Sequence, residues 1–241
     1  MSFQGFRAES FQFFRELTLN NHRLWFESQR EVYEEFVLTP FAELEQELAP
    51  FMLELNGSFK PGDTAEEHLS RIELTGELPP EGPHYKTSLY QFWWNAEIPR
   101  LCDGHLHVGI GADAVTLGFS IYDWSYDKGR MREVFKPRLR GHLSLLDDYI
   151  KANYLRRGFE FRRFVRGAGR LGLREGEAFP CRGAQWQDTL GWVVSRQIHE
   201  NSSRLTPGSF VTECKSTFER LYPLYVFSSD MRPDWRDALQ V

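Results

Sequence analysis

The first 56 residues carry apolar side chains at the three- and four-residue spacing of amphipathic helices. Ser10 is a predicted N-cap, because its hydroxyl accepts a hydrogen bond from a backbone N–H of the first turn. It precedes Phe11, Phe14 and Leu17, which share one face of the predicted helix. Asn20-Asn21 interrupts the pattern, since asparagine adopts left-handed backbone and also caps a following helix.

Two further helices are predicted before residue 56. The second runs from about His22 to Val37, and its inward positions are Trp25, Val32 and Phe36. Thr39-Pro40 has the residue types of an N-cap and a first helical position, so it predicts the start of the third helix. The core positions of that helix are Phe41, Leu44, Leu48, Phe51 and Leu55.

From residue 56 onward, helical spacing gives way to stretches rich in Gly and Pro and to alternating patterns typical of strands. The predicted strands lie around residues 69–74, 85–94, 105–110, 115–122, 159–165 and 189–198. Gly111-Ala112-Asp113 predicts a hairpin turn between the third and the fourth of them. Two helices are also predicted, from about Leu139 to Asn153 and from Thr206-Pro207 to about Tyr222.

This order of elements lacks a regular alternation of strand and helix, so it predicts an α+β fold with a mainly antiparallel sheet. We expect an N-terminal helical layer, about residues 1–56, packed on that sheet. The α+β remainder, about residues 57–241, carries further helices in the C-terminal half. No linker or composition shift marks a boundary, so the chain of 241 residues is predicted to be a single domain.

Composition indicates a soluble, cytoplasmic protein that does not bind membranes. Hydrophobic residues make up 41% of the chain, and no apolar run approaches the roughly 18 residues of a membrane span. The N-terminal stretch MSFQGFRAES has neither the basic start nor the apolar core of a signal peptide. Cys102, Cys181 and Cys214 form no C-x-x-C, so we predict reduced thiols and no zinc site. The oligomeric state is left open.

The net charge of −5 is distributed unevenly. Residues 1–100 contain 8 Lys/Arg and 17 Asp/Glu, whereas residues 128–174 contain 14 Lys/Arg and 4 Asp/Glu. A basic segment on an acidic chain attracts anionic partners locally. We name residues 154–174 the arginine block. Its arginines are Arg156, Arg157, Arg162, Arg163, Arg166, Arg170 and Arg174.

Four aromatic residues lie among these arginines: Tyr154, Phe159, Phe161 and Phe164. Guanidinium groups bind phosphate with two parallel hydrogen bonds, and aromatic faces stack on bases. We therefore predict that an arginine-rich face, centred on Arg162, Arg163 and Arg166, binds a phosphate-bearing ligand, either a nucleotide or a nucleic acid. The alternative is a solvated face, or one paired internally with the acidic N-terminal helices.

Two segments of the first 90 residues match a known pattern. The first is FFRELTLNNHRLWFESQREVYEEFVLTPF, and the matching positions are Phe14, Leu17, Asn20, Asn21, Trp25, Phe26, Arg30, Tyr33 and Pro40. The second is Pro83-His84-Tyr85-Lys86-Thr87, a Pro-Tyr-Lys-Thr element with one inserted histidine. In these segments the chain resembles a bacterial and fungal family catalogued as domain of unknown function 2461. The resemblance implies a fold and a set of special positions, and it implies no activity.

The chain departs from this family just before the second element. Family members carry an Arg-Asp-x-Arg-Phe segment there, whereas this chain reads RIELTGELPPEG, in which Arg71 alone corresponds. If those charges form a site in the family, the resemblance implies that this divergent member has lost or altered it.

The two matched segments also supply an alternative site. Phe26, Arg30 and Tyr33 share one helix face, and amides with a guanidinium group suit a polar ligand. The residues predicted to surround this pocket are Asn21, Trp25, Arg30, Tyr33, Tyr85 and Lys86. The alternative function is thus an enzyme of unassigned reaction, with carbohydrate as one candidate substrate. A helix corner with capping asparagines and packed rings explains the same residues without a ligand.

Metal, cofactor and catalytic motifs are weak or absent. His105 and His107 lie two apart on a predicted strand, and Asp123 or His84 is a candidate third metal ligand. No partner at a fixed spacing supports them, so we predict an ordinary exposed pair and no metal. Gly167–Gly172 fits G-x-G-x-x-G, but no room follows for the helix of a dinucleotide site. No cofactor is predicted, and the sequence leaves open whether the chain is an enzyme.

Overall fold

The computed structural model describes residues 2–62, 67–75, 82–124, 129–167, 173–176 and 183–239. Its α-helices are α1 Ala8–Leu19, α2 Arg23–Ser28, α3 Arg30–Tyr33, α4 Thr39–Leu55, α5 Lys136–Asn153 and α6 Pro207–Ser228. Its strands are β1 Leu89–Trp93, β2 His105–Ile110, β3 Ala114–Tyr122, β4 Glu160–Arg166, β5 Leu173–Glu175 and β6 Gly191–His199. The strands form one sheet in the order β1-β2-β3-β6-β4-β5, with β4 antiparallel to both neighbours. The predicted α+β class and antiparallel sheet are confirmed.

Helix α1 begins earlier than predicted. The Ser10 hydroxyl accepts a hydrogen bond from the Arg7 backbone N–H at 3.1 Å, and the helix starts at Ala8. Ser10 therefore lies inside the first turn, and the prediction that it is the N-cap is wrong. The predicted inward face of the helix is confirmed. Its buried residues include Phe11, Phe14 and Leu17.

The predicted second helix is broken in its middle, and the predicted boundary with the third is absent. A π-helical turn at Glu34–Leu38 joins α3 to α4, with the Thr39 backbone N–H donating to the Glu34 carbonyl. Pro40 explains this wide turn. In a regular α-helix the proline ring would clash with the carbonyl group four residues earlier, and proline has no backbone N–H to donate to that carbonyl. Thr39 thus lies inside a continuous helix, and the prediction that it caps a new one is wrong.

The inward face of this region lies one residue further along the chain than predicted. The residues predicted to point inward, Trp25, Val32 and Phe36, are only half-buried. The residues that follow each of them, Phe26, Tyr33 and Val37, are buried instead. Successive residues of a helix point about 100° apart. The face that the sequence assigned to a ligand is therefore largely a core face.

The strand predictions hold for five of the six strands of the sheet. The hairpin of β2 and β3 is confirmed, and β1, β4 and β6 overlap the other predicted segments. The segment predicted around residues 69–74 is not a strand, since it makes only isolated bridges, Leu69 to Gln91 and Glu73 to Tyr85. The pattern misses β5, because three residues show no readable alternation.

Proline has different consequences at the starts of α5 and α6. A π-helical turn at Met131–Phe135 precedes α5, and the Lys136 N–H donates to the Met131 carbonyl just before Pro137. Thr206 instead has an extended backbone, with φ −63° and ψ 145°, and α6 begins at Pro207 as predicted. A proline marks a helix start only where the preceding residue leaves the helical region.

The chain divides into two compact units. The first comprises Met1–Trp93, His107–Leu117 and Gln197–Ser216, and the second comprises Trp94–Leu106, Gly118–Arg196 and Thr217–Val241. The prediction of a single domain stays a prediction. Within the described ranges, no helix is both long enough and apolar enough to cross a membrane.

Aromatic rings dominate the core of each unit. In the first unit the Phe6 ring packs against the rings of Phe41 and Phe210, with centroid distances of 5.1 and 5.8 Å. In the second unit the Trp192 ring lies 5.6 Å from Phe135 and 5.9 Å from Trp186. Trp186 of this second core belongs to the short turn that lies beside the candidate site.

Candidate functional site

Strand β4 carries the centre of the arginine block and presents its side chains alternately to two faces. The buried positions are Phe161, Arg163 and Val165, and the exposed positions are Glu160, Arg162 and Arg166. This alternation is the two-residue repeat of any strand. It places Arg163 on the same face as the core residues.

Arg163 is the unusual member of this face, since it is only 6% exposed. Its Nη1 donates to the Gln185 carbonyl at 2.7 Å. Its Nε is buried and has no hydrogen-bond partner within the described part of the chain. A Cβ at Gly176 would lie 3.2 Å from Nη2, so the glycine leaves the space that the guanidinium group occupies.

Arg163 lines a cleft with a volume of about 650 Å³, which we call the arginine cleft. Its described lining residues are Arg163, Val165, Arg166, Arg174, Gly176, Gln185, Gln187, Asp188 and Leu190. Small-molecule sites have volumes of about 300–1,000 Å³. The arginine cleft is therefore large enough for a nucleotide.

A short 3₁₀ turn, Gly183–Trp186, holds Gln185 in the cleft. The Trp186 indole N–H donates to the Asp147 carboxylate at 2.7 Å, and the Thr189 hydroxyl donates to the Gln185 carbonyl at 3.0 Å. Burial raises the pKa of Asp147 above its ordinary value, although the Trp186 N–H stabilises the charged form. The Gln185 carbonyl that accepts from Arg163 is therefore held in place by the neighbouring buried Trp186 indole.

The described side chains of the arginine block form no ion pair with any described carboxylate. They are Arg157, Arg162, Arg163, Arg166 and Arg174. Asp188 lines the cleft but lies beyond ion-pair distance of its arginines. A buried guanidinium group without a counterion is costly. The cleft is therefore electrostatically suited to an anion.

The aromatic residues of the arginine block are mostly inaccessible. Tyr154, Phe159 and Phe161 are buried, and the Tyr154 hydroxyl donates to the Arg220 carbonyl at 2.7 Å. Burial raises the pKa of Tyr154 well above its ordinary value. Of the four rings, Phe164 alone keeps exposed surface, and it lies on the face of β4 opposite to Arg163.

Asn21 joins the turn after α1 to the Pro83–Lys86 segment. Its amide N–H donates to the Tyr85 carbonyl at 2.8 Å, and its amide oxygen accepts from the His84 and Tyr85 N–H groups at 2.9 and 2.8 Å. The Tyr85 ring stacks on Phe26, with ring centroids 4.1 Å apart. Burial raises the pKa of Tyr85. The two segments that carry the family resemblance are thus fastened together.

The charged residues predicted at this corner are bonded to the protein itself. Arg30 is exposed and donates to both carboxylate oxygens of Glu27 at 3.0 and 2.8 Å, which lowers the pKa of Glu27. Lys86 Nζ donates to the Arg71 carbonyl at 2.6 Å. The backbone of Arg71 therefore holds Lys86 in place.

The aromatic residues of the corner pack among themselves. Tyr33 is buried, with its ring 5.2 Å from Phe26 and 5.4 Å from Phe13. Trp25 is half-buried, 5.7 Å from Phe13. These contacts explain the residue types by packing. The hypothesis of an enzyme pocket at this corner stays a prediction.

His105 and His107 are both buried, so the prediction of an exposed pair is wrong. His105 Nε2 is hydrogen-bonded to the Arg100 carbonyl, and burial lowers the pKa of His105 to about 4. Asp123, the candidate third ligand, accepts hydrogen bonds from Arg132 instead. Among the residues that the structure describes, no three His, Cys, Asp or Glu side chains are grouped to hold a metal ion.

Some predicted features lie outside the described residues. These are Ala168–Gly172 of the glycine-rich loop, which includes Arg170, and Cys181. The side chain of Arg156 also lies outside them. The interpretations of these residues stay predictions.

The cleft contains residues that no sequence pattern indicated. They are Gln185, Gln187, Asp188 and Leu190. They reach the cleft because the chain pairs with β4 just before β6 begins, where the Leu190 N–H donates to the Phe164 carbonyl at 2.8 Å. The nearest signal in the sequence is Trp186, whose indole between polar neighbours is typical of an anchored turn.

Comparison with protein-family models matches residues 9–227 to a family described as "Conserved hypothetical protein (DUF2461)". The match spans both segments that carry the resemblance and all of β4. No curated protein matches the chain. The family description contains no activity.

Proposed function

The chain belongs to the DUF2461 family, and from this premise we propose that it binds a phosphate-bearing ligand, a nucleotide or a nucleic acid, in the arginine cleft. The observation that carries the proposal is Arg163. Its guanidinium group is buried, lines a cleft and has no carboxylate partner among the described residues. A phosphate in the cleft would accept charge-assisted hydrogen bonds from this guanidinium group and neutralise its charge.

The other lining residues support this ligand class. Arg174 pairs with Val165 across β4 and β5, so its side chain leaves the sheet on the same face as Arg163. The amides of Gln185 and Gln187 supply hydrogen bonds, and Leu190 adds apolar surface. Together they suit a phosphate that is attached to a polar ring.

Isothermal titration calorimetry of the intact protein with inorganic pyrophosphate and with ADP tests the proposal. We expect binding that weakens as salt rises, because exposed charges such as Arg174 are screened. Arg163→Met keeps the length of the side chain and removes its charge. It should weaken binding at least about tenfold, which corresponds to about 1.4 kcal/mol.

Arg157→Gln is the matched control, since Arg157 is an exposed arginine of the same block that does not line the cleft. Its affinity for pyrophosphate should stay within about twofold of the wild type. No binding of either compound at low salt would contradict the proposal. An equal loss in both variants would assign the binding to the general basic charge of the segment.

A further inference from the structure

Three aromatic rings lie together on the face of β4 opposite to the arginine cleft. The Tyr122 ring, at the end of β3, lies 5.5 Å from the Phe164 ring and 5.1 Å from the Trp124 ring. All three residues are half-buried, so each keeps surface that faces solvent. We call these three residues the aromatic platform.

A glycine makes room for this arrangement. Phe164 pairs with Gly191 across β4 and β6, and a Cβ at Gly191 would overlap the Tyr122 ring. Tyr122 therefore lies directly on the backbone of β6, beside Phe164. A glycine in a strand often marks a close approach of another group, because it has no side chain. Here that group is the platform's central ring.

Two arginines flank the platform. Arg162 and Arg166 lie two residues to either side of Phe164 on β4, and both are exposed. Arg166 is at the end of the strand and also lines the arginine cleft. Neither forms an ion pair with a described carboxylate, although Glu160 and Glu175 belong to the same face. The charge of this surface is therefore mixed, and ring stacking has to supply much of the affinity for an anionic partner.

We propose that the aromatic platform stacks the bases of a single-stranded nucleic acid whose phosphates contact Arg162 and Arg166. The platform is a second site, on the face of β4 opposite to the arginine cleft, and its ligand belongs to the same phosphate-bearing class. Half-exposed rings beside guanidinium groups are the combination with which proteins bind single strands of varied sequence. Duplexes hide their base faces within the stack, so the platform favours single strands over duplexes.

Fluorescence anisotropy of the intact protein with labelled oligo(dA) and oligo(dT) of roughly 12 nucleotides tests this inference. Phe164→Leu and Tyr122→Leu should each weaken binding about tenfold, because each removes a stacking surface. Arg162→Gln should weaken it about threefold and make the salt dependence shallower. Phe51→Leu is the matched control, since it shortens a half-buried ring on α4, and its affinity should stay within about twofold.

The fluorescence of Trp124 gives a readout that a merely structural role would not change. A base stacked on the platform should quench it, and the difference between the wild type and Trp124→Phe isolates this signal from the other six tryptophans. If an aromatic variant does not fold, Arg162→Gln and the quenching measurement decide the question, because both leave the packed rings Tyr122 and Phe164 in place.

The outcomes separate the two proposals. Oligonucleotide binding that Phe164→Leu weakens, while pyrophosphate binding is retained, supports the platform. Oligonucleotide binding that neither Phe164→Leu nor Arg162→Gln changes overturns it. Pyrophosphate binding without oligonucleotide binding overturns the platform and leaves the cleft proposal standing. Binding of neither compound overturns both.

Discussion

The contacts of Asn21 with His84 and Tyr85, which we call the Asn21 corner, hold a half-buried polar side chain, whereas the arginine cleft holds a buried one. The two regions pair these polar groups to different extents. At the corner, the Asn21 amide makes three hydrogen bonds to the backbone of His84 and Tyr85. In the cleft, the Arg163 guanidinium group makes one hydrogen bond to a described residue, and its Nε is buried without a partner there. Buried polar groups in folded proteins are nearly always paired. The buried Nε of Arg163, which lacks a described partner, is therefore the better guide to a ligand site.

The two segments that carry the family resemblance lie at the Asn21 corner, where the Asn21 amide is hydrogen-bonded. Asn21, Phe26 and Tyr85 belong to the matched segments, and each of them contacts another residue of those segments. Their residue types are accounted for by stabilisation of the first unit. The cleft residues belong to no motif, and their arrangement is what points to a function.

The largest expected effect tests which aromatic residue holds the corner together. Phe26 is 3% exposed, so Phe26→Ala should lower the free energy of unfolding by about 3–5 kcal/mol. Trp25→Ala should lower it by less than half as much, since Trp25 is only half-buried. Urea denaturation of both variants measures the two losses. A larger loss for Trp25→Ala would mean that the inward face is assigned wrongly.

His105 shows a third way to treat a buried polar group, because it can stay uncharged, whereas arginine cannot. Its pKa of about 4 in the folded state lies below the ordinary 6.5, so the unfolded state binds the proton more readily between these pH values. Stability should therefore fall by up to about 3 kcal/mol as the pH drops from 7 to 4. This loss should be absent in His105→Gln, and chemical denaturation at a series of pH values compares the two. Parallel pH profiles would contradict it.

Asn21→Ala tests the Asn21 corner directly. It removes three hydrogen bonds and leaves the backbone groups of His84 and Tyr85 without their partner, so we expect a loss of about 2–3 kcal/mol. Asn20→Ala is the control, because the Asn20 side chain makes a single hydrogen bond within the described residues, to the Glu16 carbonyl. It should cost less than about 1 kcal/mol. Equal losses would mean that the corner does not depend on Asn21.

The smallest expected effect has the opposite sign. Arg163→Met replaces a buried charge that lacks a counterion by an apolar side chain of similar length, so the ligand-free protein should gain about 1 kcal/mol of stability. The same variant should lose anion binding, which separates stability from function. Arg157→Gln, at an exposed position, should change stability by less than about 0.5 kcal/mol. Destabilisation by Arg163→Met would mean that Arg163 is a structural residue.

Periodicity was sufficient to predict most elements of this fold. The face of α1, the hairpin of β2 and β3, and the start of α6 follow from local spacing, turn chemistry and the Thr206-Pro207 pair. The predictions failed where Pro40 is accommodated by a π-helical turn rather than by a helix end. Whether the helix ends at the proline or continues through a π-helical turn depends on packing on both sides of it, and a local sequence pattern carries no information about that packing.

The candidate site also has a part that the sequence predicts and a part that depends on tertiary packing. The cluster of arginines and its strand are visible in the sequence, because charge and two-residue alternation are local properties. Two-residue alternation puts Arg163 on the core face, but the sequence does not show that its charged side chain is buried there. Its burial results from Gly176 and the Gln185 carbonyl, which reach it through the pairing of β4 with β5 and the anchored 3₁₀ turn. Contacts between residues distant along the chain are formed by tertiary packing, and here they leave a buried guanidinium group at a cleft without a described counterion.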